Sequence, residues 1–490
     1  MRAVPDLIFA IENLVLKGDP LDSTMFSEEE RENYIKIKDI IRSEEPRRYD
    51  SRHLKLNNSL KEKLFRLIFN FLPSKSKYTV LQRNVIEIVK KTAVATLIKG
   101  LGYPRLSLSV YESVYQKSKK YNHQEGVLES SRALFSGEAN NGNIKKAHKY
   151  YSNCIHSLKL IENEIQAEWC SAELKSHFIK TKEITKELKD TAAIHFTTLN
   201  EIESSFRSRK FLRSLITVGI IHFESEHKYV ELCDFLNENI EYTAQHFTDD
   251  ASLYRLLSLY NLNYLLRIKN FTAFNKTLEN LLPTIVSKSN QWFRVHELSM
   301  LYHLRTEDYD KCIDVFNRLK KEARFKSINI DKRNRIELNW LYAVISKALI
   351  AGKTEAKDIL SQVKLGKYLN SIPDFYKDKK GMNISIIIVQ LLYYIILKDL
   401  DQLDARFEAI EKYLSRYMKS DPLYRSQCFV KMLLQVPKQN FHPVAIERHV
   451  DRYFWNLKSM PFLESHHPNE IELTEYEVLW DQIMQYLKGK

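Results

Sequence analysis

The scarcity of glycine and proline is the feature that most restricts how this chain folds. Its 490 residues include 11 Gly and 12 Pro, whereas average usage would supply about 35 and about 25. Doubly wound sheets and α/β barrels need many more glycines for their βα turns. Leu, Lys, Glu, Tyr and Ile are abundant instead, and these residues with so few helix breakers predict an all-α fold.

A two-helix unit recurs along the chain and is clearest from Trp292 to Lys321, where two amphipathic helices flank a turn at Thr306–Asp308. The first apolar residue after each turn serves as an anchor for aligning the units. The anchors are Tyr229, Phe271, Tyr309 and Leu400. Three residues after them stand Leu232, Phe274, Cys312 and Leu403, and seven after them stand Leu236, Leu278, Phe316 and Phe407. Seven residues before the anchors stand His222, Tyr264, Tyr302 and Tyr393.

These offsets place the later columns on one stripe of the second helix. The anchors recur about every 40 residues, a period typical of helical-pair solenoids, and a weaker unit has its anchor at Ala356. The aligned aromatic and thiol side chains are therefore expected to form a repeated core and not a site. Function is expected at the polar positions between the columns.

The stretch from Gln124 to Leu160 resembles a tetratricopeptide repeat. Its first helix ends at Asn140–Gly142, and its second carries a small residue and then an aromatic, Ala147 and Tyr151, at the family's places. The family's first-helix Trp and Gly are absent. The resemblance implies a right-handed α-solenoid of tetratricopeptide-like helix pairs, whose concave face takes extended peptides or partner helices.

The chain is expected to have three parts. Residues 1–52 form a helical segment and a charged linker, residues 53–208 form N-terminal helical repeats, and residues 209–490 form C-terminal helical-pair repeats with a capping helix. A long helix, or two in close succession, is expected between Glu162 and Lys189. The capping helix is predicted over Thr474–Leu487, with an apolar stripe of Tyr476, Leu479, Trp480, Ile483 and Leu487.

No motif in the sequence indicates catalysis. Phosphate-binding GxxxxGK[ST] and GxGxxG loops are absent, and the five cysteines include no CxxC pair, so we expect buried thiols in a reducing compartment. Three histidine pairs have no zinc-site spacing and are read as structural: His222 with His227, His442 with His449, and His466 with His467. The sequence therefore predicts a non-enzyme with no catalytic residue, cofactor or metal.

Neither membrane insertion nor secretion is expected. The most apolar run, Ile384–Leu397, has 14 residues, too few to span a bilayer, and reads as a buried helix. The first residues contain Asp6 and Glu12 and lack a signal-peptide pattern. These features predict a cytoplasmic protein.

A modest basic excess leaves an alternative function open. The formal net charge is +13, from 75 Lys+Arg against 62 Asp+Glu. Most clusters fall at predicted helix C-termini, where cations favour the helix dipole, but on one concave surface they would track a phosphate backbone. The clusters are Lys117, Lys119 and Lys120; Lys145, Lys146 and Lys149; Arg207, Arg209 and Lys210; Arg318, Lys320, Lys321, Arg324 and Lys326; and Lys377, Lys379 and Lys380.

The stretch from Tyr424 to His442 carries the candidate partner-binding residues. Three of its polar residues stand four apart and form a stripe on an otherwise apolar helix, which is either the solvent face of a late repeat or one wall of a peptide groove. The candidates are Arg425, Gln427, Lys431, Gln435, Lys438 and His442. We predict an interaction scaffold or adaptor with a protein or peptide partner. The alternative, not favoured, is a nucleic-acid or ribonucleoprotein-binding repeat protein.

Overall fold

The computed structural model describes residues 78–181, 184–247, 251–361, 382–417, 424–460 and 472–489, with Glu28 and Ile35 as single positions. Within these ranges the chain is all-helical and has no strand, as the composition predicts. Two compact units, Met1–Glu164 and Ile165–Lys490, divide the chain. The division expected at residues 52 and 208 remains a prediction.

The helices of the first unit follow the predicted breaks. They are α1 (Val80–Gly100), α2 (Pro104–Lys120), α3 (Gln124–Asn140) and the first part of α4 (Ile144–Thr181). Thr79 begins α1 with a capping box: its hydroxyl accepts from the Gln82 N–H at 3.2 Å, and the Gln82 side chain accepts from the Thr79 N–H at 3.0 Å. The sequence from Leu54 to Leu72, which Pro73 follows, also predicts a helix, and it lies outside the described residues.

The stretch Glu162–Lys189, predicted as one long helix or two, contains parts of two helices: it begins inside α4 and ends inside the next helix, Lys186–Asn200. α4 itself is long. It runs for 38 residues without a break, because no Gly or Pro occurs between Asn143 and Thr185, and the boundary between the two units falls within it. Ala147 is buried, as its place in the repeat predicts, but Tyr151 is exposed and the neighbouring Tyr150 fills the core instead. The rings of Tyr150 and Tyr115 meet edge to face at 5.1 Å.

The second unit continues with shorter helices. They are α5 (Lys186–Asn200), α6 (Arg209–Ser225), α7 (Tyr229–His246), α8 (Ser252–Arg267), α9 (Phe271–Leu281), α10 (Asn290–Arg305), α11 (Tyr309–Lys321), α12 (Ile330–Ala351), α13 (Ala356–Ser361), α14 (Met382–Leu397), α15 (Leu400–Tyr417), α16 (Tyr424–Lys438), α17 (Pro443–Ser459) and α18 (Tyr476–Lys488). Pro437, a residue type from which a helix end is expected, lies instead inside the last turn of α16.

The predicted turns share one backbone geometry. The four anchors are the first residues of α7, α9, α11 and α15, and the residue two before each has a positive φ: 57° at His227, 57° at Lys269, 58° at Glu307 and 54° at Lys398. The following N–H bonds to a carbonyl five residues back, as from Asp308 to His303 at 2.8 Å. This is the Schellman motif, usually made with glycine, and its use of other residues explains how so few glycines suffice.

The aligned columns form the core of the second unit, most completely at the offset of three residues. Leu232, Phe274, Cys312 and Leu403 all have 0% exposure. At the offset of minus seven, Tyr302 stacks on Phe274 with ring centroids 5.0 Å apart. The anchor Leu400 departs from its column because 45% of it is exposed.

Helices of the second unit pack mainly on helices one or two places away in the chain, with one exception that joins distant helices. The first helices of successive pairs also pack together: α8 on α10, α10 on α12, α12 on α14 and α14 on α16. α14 is the buried helix predicted from the apolar run. Among the described residues no helix is long and apolar enough to cross a membrane.

The exception is the last helix, α18, which packs on α17 and also returns to α12. The five residues of its predicted apolar stripe are buried. Its Gln482 amide donates to the Tyr309 hydroxyl at 2.7 Å, and its Tyr486 hydroxyl donates to the Ile396 carbonyl at 3.0 Å. α18 therefore joins helices far apart in sequence, which a helix covering only the end of an array would not do.

Candidate partner-binding strip

α16 is enclosed on most sides and leaves one polar row accessible. It packs on α14, α15 and α17, and its apolar residues are buried almost without interruption from Cys428 to Val436. The polar residues spaced along one side are half-buried or, at the last position, exposed. We call this row the α16 strip; it consists of Gln427, Lys431, Gln435 and Lys438.

The two lysines of the α16 strip lean toward different flanking helices. The Lys431 ammonium lies 5.7 Å from the ring centroid of Tyr453 on α17. The Lys438 ammonium lies 5.8 Å from the ring centroid of Phe407 on α15 and donates to the Glu411 carboxylate at 2.8 Å. Both rings are half-buried, so each cation–π contact holds its ammonium beside apolar surface.

Exposed charges of both signs lie on the two helices that flank α16. On α15, Glu408 and Lys412 form an exposed ion pair. On α17, Arg448 and Asp451 are exposed, and Trp455 has 70% of its surface in contact with solvent. Mixed charge with exposed aromatic surface is more typical of a protein-binding face than of one that tracks a phosphate backbone.

His442 begins the next helix and does not lie in the row. It is the N-cap of α17, where its Nδ1 accepts from the Ala445 N–H at 3.4 Å and Pro443 takes the first helical position. His449 lies about two turns after His442, with its Nδ1 2.8 Å from the Ala445 carbonyl. The described residues contain no cluster of potential metal ligands, and His466 and His467 lie outside them.

Arg425 was wrongly grouped with the accessible residues, since its side chain is 1% exposed. Its guanidinium reaches Glu472 at 2.9 Å and Glu477 at 2.7 Å. It also donates to the carbonyls of Leu457 at 2.9 Å and Met460 at 2.7 Å. Arg425 therefore binds the segment before α18 to the end of α17. It cannot contact a partner in this conformation.

The surroundings of Arg425 keep it charged. Burial acts to lower the pKa of Arg425, but hydrogen bonds to the Glu472 and Glu477 carboxylates outweigh burial and raise that pKa. Arg305 also reaches this segment, where its guanidinium donates to the Glu472 carbonyl at 3.3 Å. Periodicity does not reveal this network because its hydrogen bonds join residues 32 to 167 positions apart in sequence.

A second candidate surface lies on α10 and α11. An open cavity of about 490 Å³ is lined by His303, Lys311, Asp314, Val315, Asn317, Arg318 and Lys321, and we call it the basic depression. Lys311 is already paired with Asp308 at 2.7 Å. The remaining cations give this surface a chemistry suited to an anion.

Other basic clusters have structural partners. Lys117 pairs with Glu87, and Arg207 donates to the Ile202 carbonyl at 2.8 Å. The Lys320 ammonium lies 5.7 Å from the Phe316 ring centroid. Arg324 donates to the Lys288 carbonyl at 2.9 Å. The cluster at 377–380 lies outside the described residues.

The cysteines behave as buried structural thiols. All five are free, and four of them are buried. Burial raises the pKa of the Cys233 thiol to about 12, so the nucleophilic thiolate is suppressed at neutral pH.

Three half-buried histidines are expected to make the second unit sensitive to acid. Burial lowers the pKa of His222, His296 and His303. Below about pH 6.5 these histidines therefore bind protons more readily in the unfolded chain than in the folded chain. The free energy of unfolding falls as pH falls. We expect the melting temperature to drop between about pH 7 and about pH 5.

Substituting one of these histidines tests the cause of that drop. A His296→Gln variant should show a shallower fall in melting temperature over the same pH range. The exposed His449→Gln variant should match the unmodified chain. A fall that is equally steep in all three proteins would assign the acid sensitivity to other groups.

The α16 strip can accept and donate hydrogen bonds through two amides and can donate through two ammonium groups beside aromatic rings. Such a row suits the recognition of polar main-chain groups and carboxylates. No protein-family model matches the chain, and no curated protein or solved structure is significantly similar to it.

Proposed function

We propose that the chain is a non-enzymatic interaction scaffold that binds a peptide or partner helix over the α16 strip. The observation that carries the proposal is the strip itself: four polar side chains remain accessible on a helix that is otherwise enclosed. Half-buried rings on α15 and α17 stand beside its two lysines. Aromatic side chains such as these are enriched at protein interfaces.

The proposal includes an α-solenoid architecture for the second unit. Its support is the repeated turn geometry, the buried column of Leu232, Phe274, Cys312 and Leu403, and the packing of first helices on one another. A solenoid of such pairs presents a concave face to extended partners. The return of α18 to α12 adds a closure that simple arrays lack.

The chemistry of the strip favours an acidic partner with apolar anchors. Lys431 and Lys438 supply positive charge, and the exposed part of each neighbouring ring supplies apolar contact. Gln427 and Gln435 can bind main-chain groups of either type. We therefore expect selected peptides to combine Asp or Glu with Leu, Phe or Trp.

Peptides selected from a random display library on the full-length chain test this function. A Lys431→Glu, Lys438→Glu variant should bind them at least about 10-fold more weakly, since two charge-assisted contacts become repulsive. Fluorescence anisotropy with labelled peptides measures the dissociation constants. Lys412→Glu, a charge reversal on the exposed part of α15, is the matched control and should bind normally.

Two results would contradict the proposal. Selected peptides that bind equally well to the double variant would place the binding surface elsewhere. A library that yields no binder, while the chain is folded by circular dichroism, would remove the peptide-binding function.

The basic depression supports nucleic-acid binding as the second candidate function. If it is correct, labelled single-stranded RNA or duplex DNA binds the chain at low salt, and the affinity falls steeply as salt rises. An Arg318→Glu, Lys321→Glu variant should then lose that affinity while the Lys431→Glu, Lys438→Glu variant keeps it. Absence of binding at low salt would exclude this candidate.

A further inference from the structure

A stripe of exposed apolar residues follows α4 beside its buried face, and the ring of one of them, Tyr151, meets Phe135 edge to face at 6.0 Å. Their exposure ranges from 47% at Ile155 to 67% at Ile144, although residues of this kind are usually covered. We call this the α4 stripe; it consists of Ile144, Tyr151, Ile155, Leu158, Ile165 and Trp169.

The spacing of the α4 stripe is that of a coiled-coil seam. Ile144, Tyr151, Leu158 and Ile165 recur every seven residues, and Ile155 and Trp169 each follow a member of that series by four. Residues spaced by three, four and seven keep to one side of a helix that supercoils with a partner. The stripe extends over more than three heptads, enough for a coiled coil, and along about 39 Å of helix.

The core does not explain this pattern. The buried side of α4 is formed by other positions, including Ala147, Tyr150 and Leu160. A helix with only a core to satisfy would carry polar residues on its remaining faces. The α4 stripe therefore has the sequence of a second interface, and polar residues interrupt the seam at His148 and Glu162, as they do where register is specified.

Charge is divided into two halves along the part of α4 from Ile144 to Glu173, which contains the stripe; Lys175 and Lys180 follow it. From Ile144 to Ile161 the helix has no carboxylate and carries four lysines. From Glu162 to Glu173 it has no lysine or arginine and carries four glutamates. The lysines are Lys145, Lys146, Lys149 and Lys159, and the glutamates are Glu162, Glu164, Glu168 and Glu173, of which Glu164 is buried.

This division identifies the partner that fits the stripe. A second α4 laid antiparallel sets the lysine half of each helix against the glutamate half of the other, whereas a parallel copy sets like charges together. A two-fold axis near Leu158 and Lys159 relates the two helices, and one surface then satisfies both sides, as in isologous dimers. We propose that the chain forms a homodimer through an antiparallel coiled coil of two α4 helices.

The oligomeric state of the full-length chain tests the proposal. Sedimentation equilibrium should give the mass of two chains. An Ile165→Asp, Trp169→Asp variant should raise the dissociation constant at least about 100-fold, since the seam loses two large apolar side chains and two charged groups must lose water there. Both side chains are exposed, so the melting temperature of the dissociated chain should change little.

A matched control keeps the result specific. Val444→Asp with Trp455→Asp places the same charges at exposed apolar positions of α17 and should leave the dimer intact. A chain that is monomeric at concentrations well above micromolar overturns the proposal, and covering of the stripe by another part of the same chain would give that result. A control variant that dissociates equally also overturns it, because the interface would then not be α4.

Cross-linking determines the helix orientation. In a Cys154→Ser background, differently tagged Lys145→Cys and Ala172→Cys chains should be joined by a short bismaleimide when mixed. Lys145→Cys chains alone should not be joined to one another. Cross-linking of Lys145→Cys to itself would show a parallel pair and overturn the antiparallel arrangement.

Discussion

Replacing Arg425 by alanine is expected to lower the free energy of unfolding by about 3–5 kcal/mol. The side chains of Arg425 and Glu472 are each 1% exposed and lie 2.9 Å apart, so the variant leaves a carboxylate buried without its cation. The carbonyls of Leu457 and Met460 also lose their donor. Urea unfolding should show a lower midpoint with an unchanged slope.

The origin of this loss is tested by removing both charges. An Arg425→Leu, Glu472→Leu variant should recover much of the stability, because apolar residues can replace a buried ion pair at little cost. Lys438→Ala breaks the partly exposed pair with Glu411 and should change stability by about 1 kcal/mol or less. A double variant as unstable as Arg425→Ala would show that packing around the side chain matters more than the charge.

The repeated framework could be predicted because its causes are local. Each anchor follows a turn and begins a helix, and offsets of three and seven residues follow from the helical period. The geometry of the turns was not visible in the residue types, since His227, Lys269, Glu307 and Lys398 have little in common except their position. The positions of these four residues in the repeat predicted a turn there, whereas their residue types did not.

The polar network at Arg425 could not be predicted for the opposite reason. Its carboxylate partners, Glu472 and Glu477, follow α17 in the chain, about 50 residues from Arg425. They are brought near only by the packing of α16, α17 and α18. Sequence spacing did separate Arg425 from the strip, since Gln427, Lys431 and Gln435 stand four apart and Arg425 is out of step with them. This difference in helical phase was the one indication in the sequence that Arg425 lies on another side of α16.

The exposed side of α4 shows a further limit of reading one helix as one repeat. Ala147 and Tyr151 match a repeat pattern, yet the structure buries Tyr150 and leaves Tyr151 in solvent. Two apolar faces on the helix would account for both tyrosines: Tyr150 packs in the chain's own core, and Tyr151 would contact a partner. Periodicity detects such faces but does not say which of them is covered.

Replacing Ile483 by alanine is expected to cost about 2–5 kcal/mol, because the side chain is fully buried and leaves a cavity. Adding Leu479→Ala, also at 0% exposure, should increase the loss. Gln485→Ala changes an exposed residue of the same helix and should change stability by no more than about 0.5 kcal/mol.

Amide hydrogen exchange on the Ile483→Ala variant then shows what α18 stabilises. A helix that only covers the end of an array stabilises its immediate neighbour, so exchange would quicken in α17 alone. α18 also packs on α12, and Gln482 and Lys353 make hydrogen bonds between α18 and the region of α11 and α12. We therefore expect faster exchange in α12 as well as in α17, with α2 unchanged. Unchanged exchange in α12 would reduce α18 to an end cap, whereas faster exchange there means that the last helix holds together repeats more than 100 residues apart.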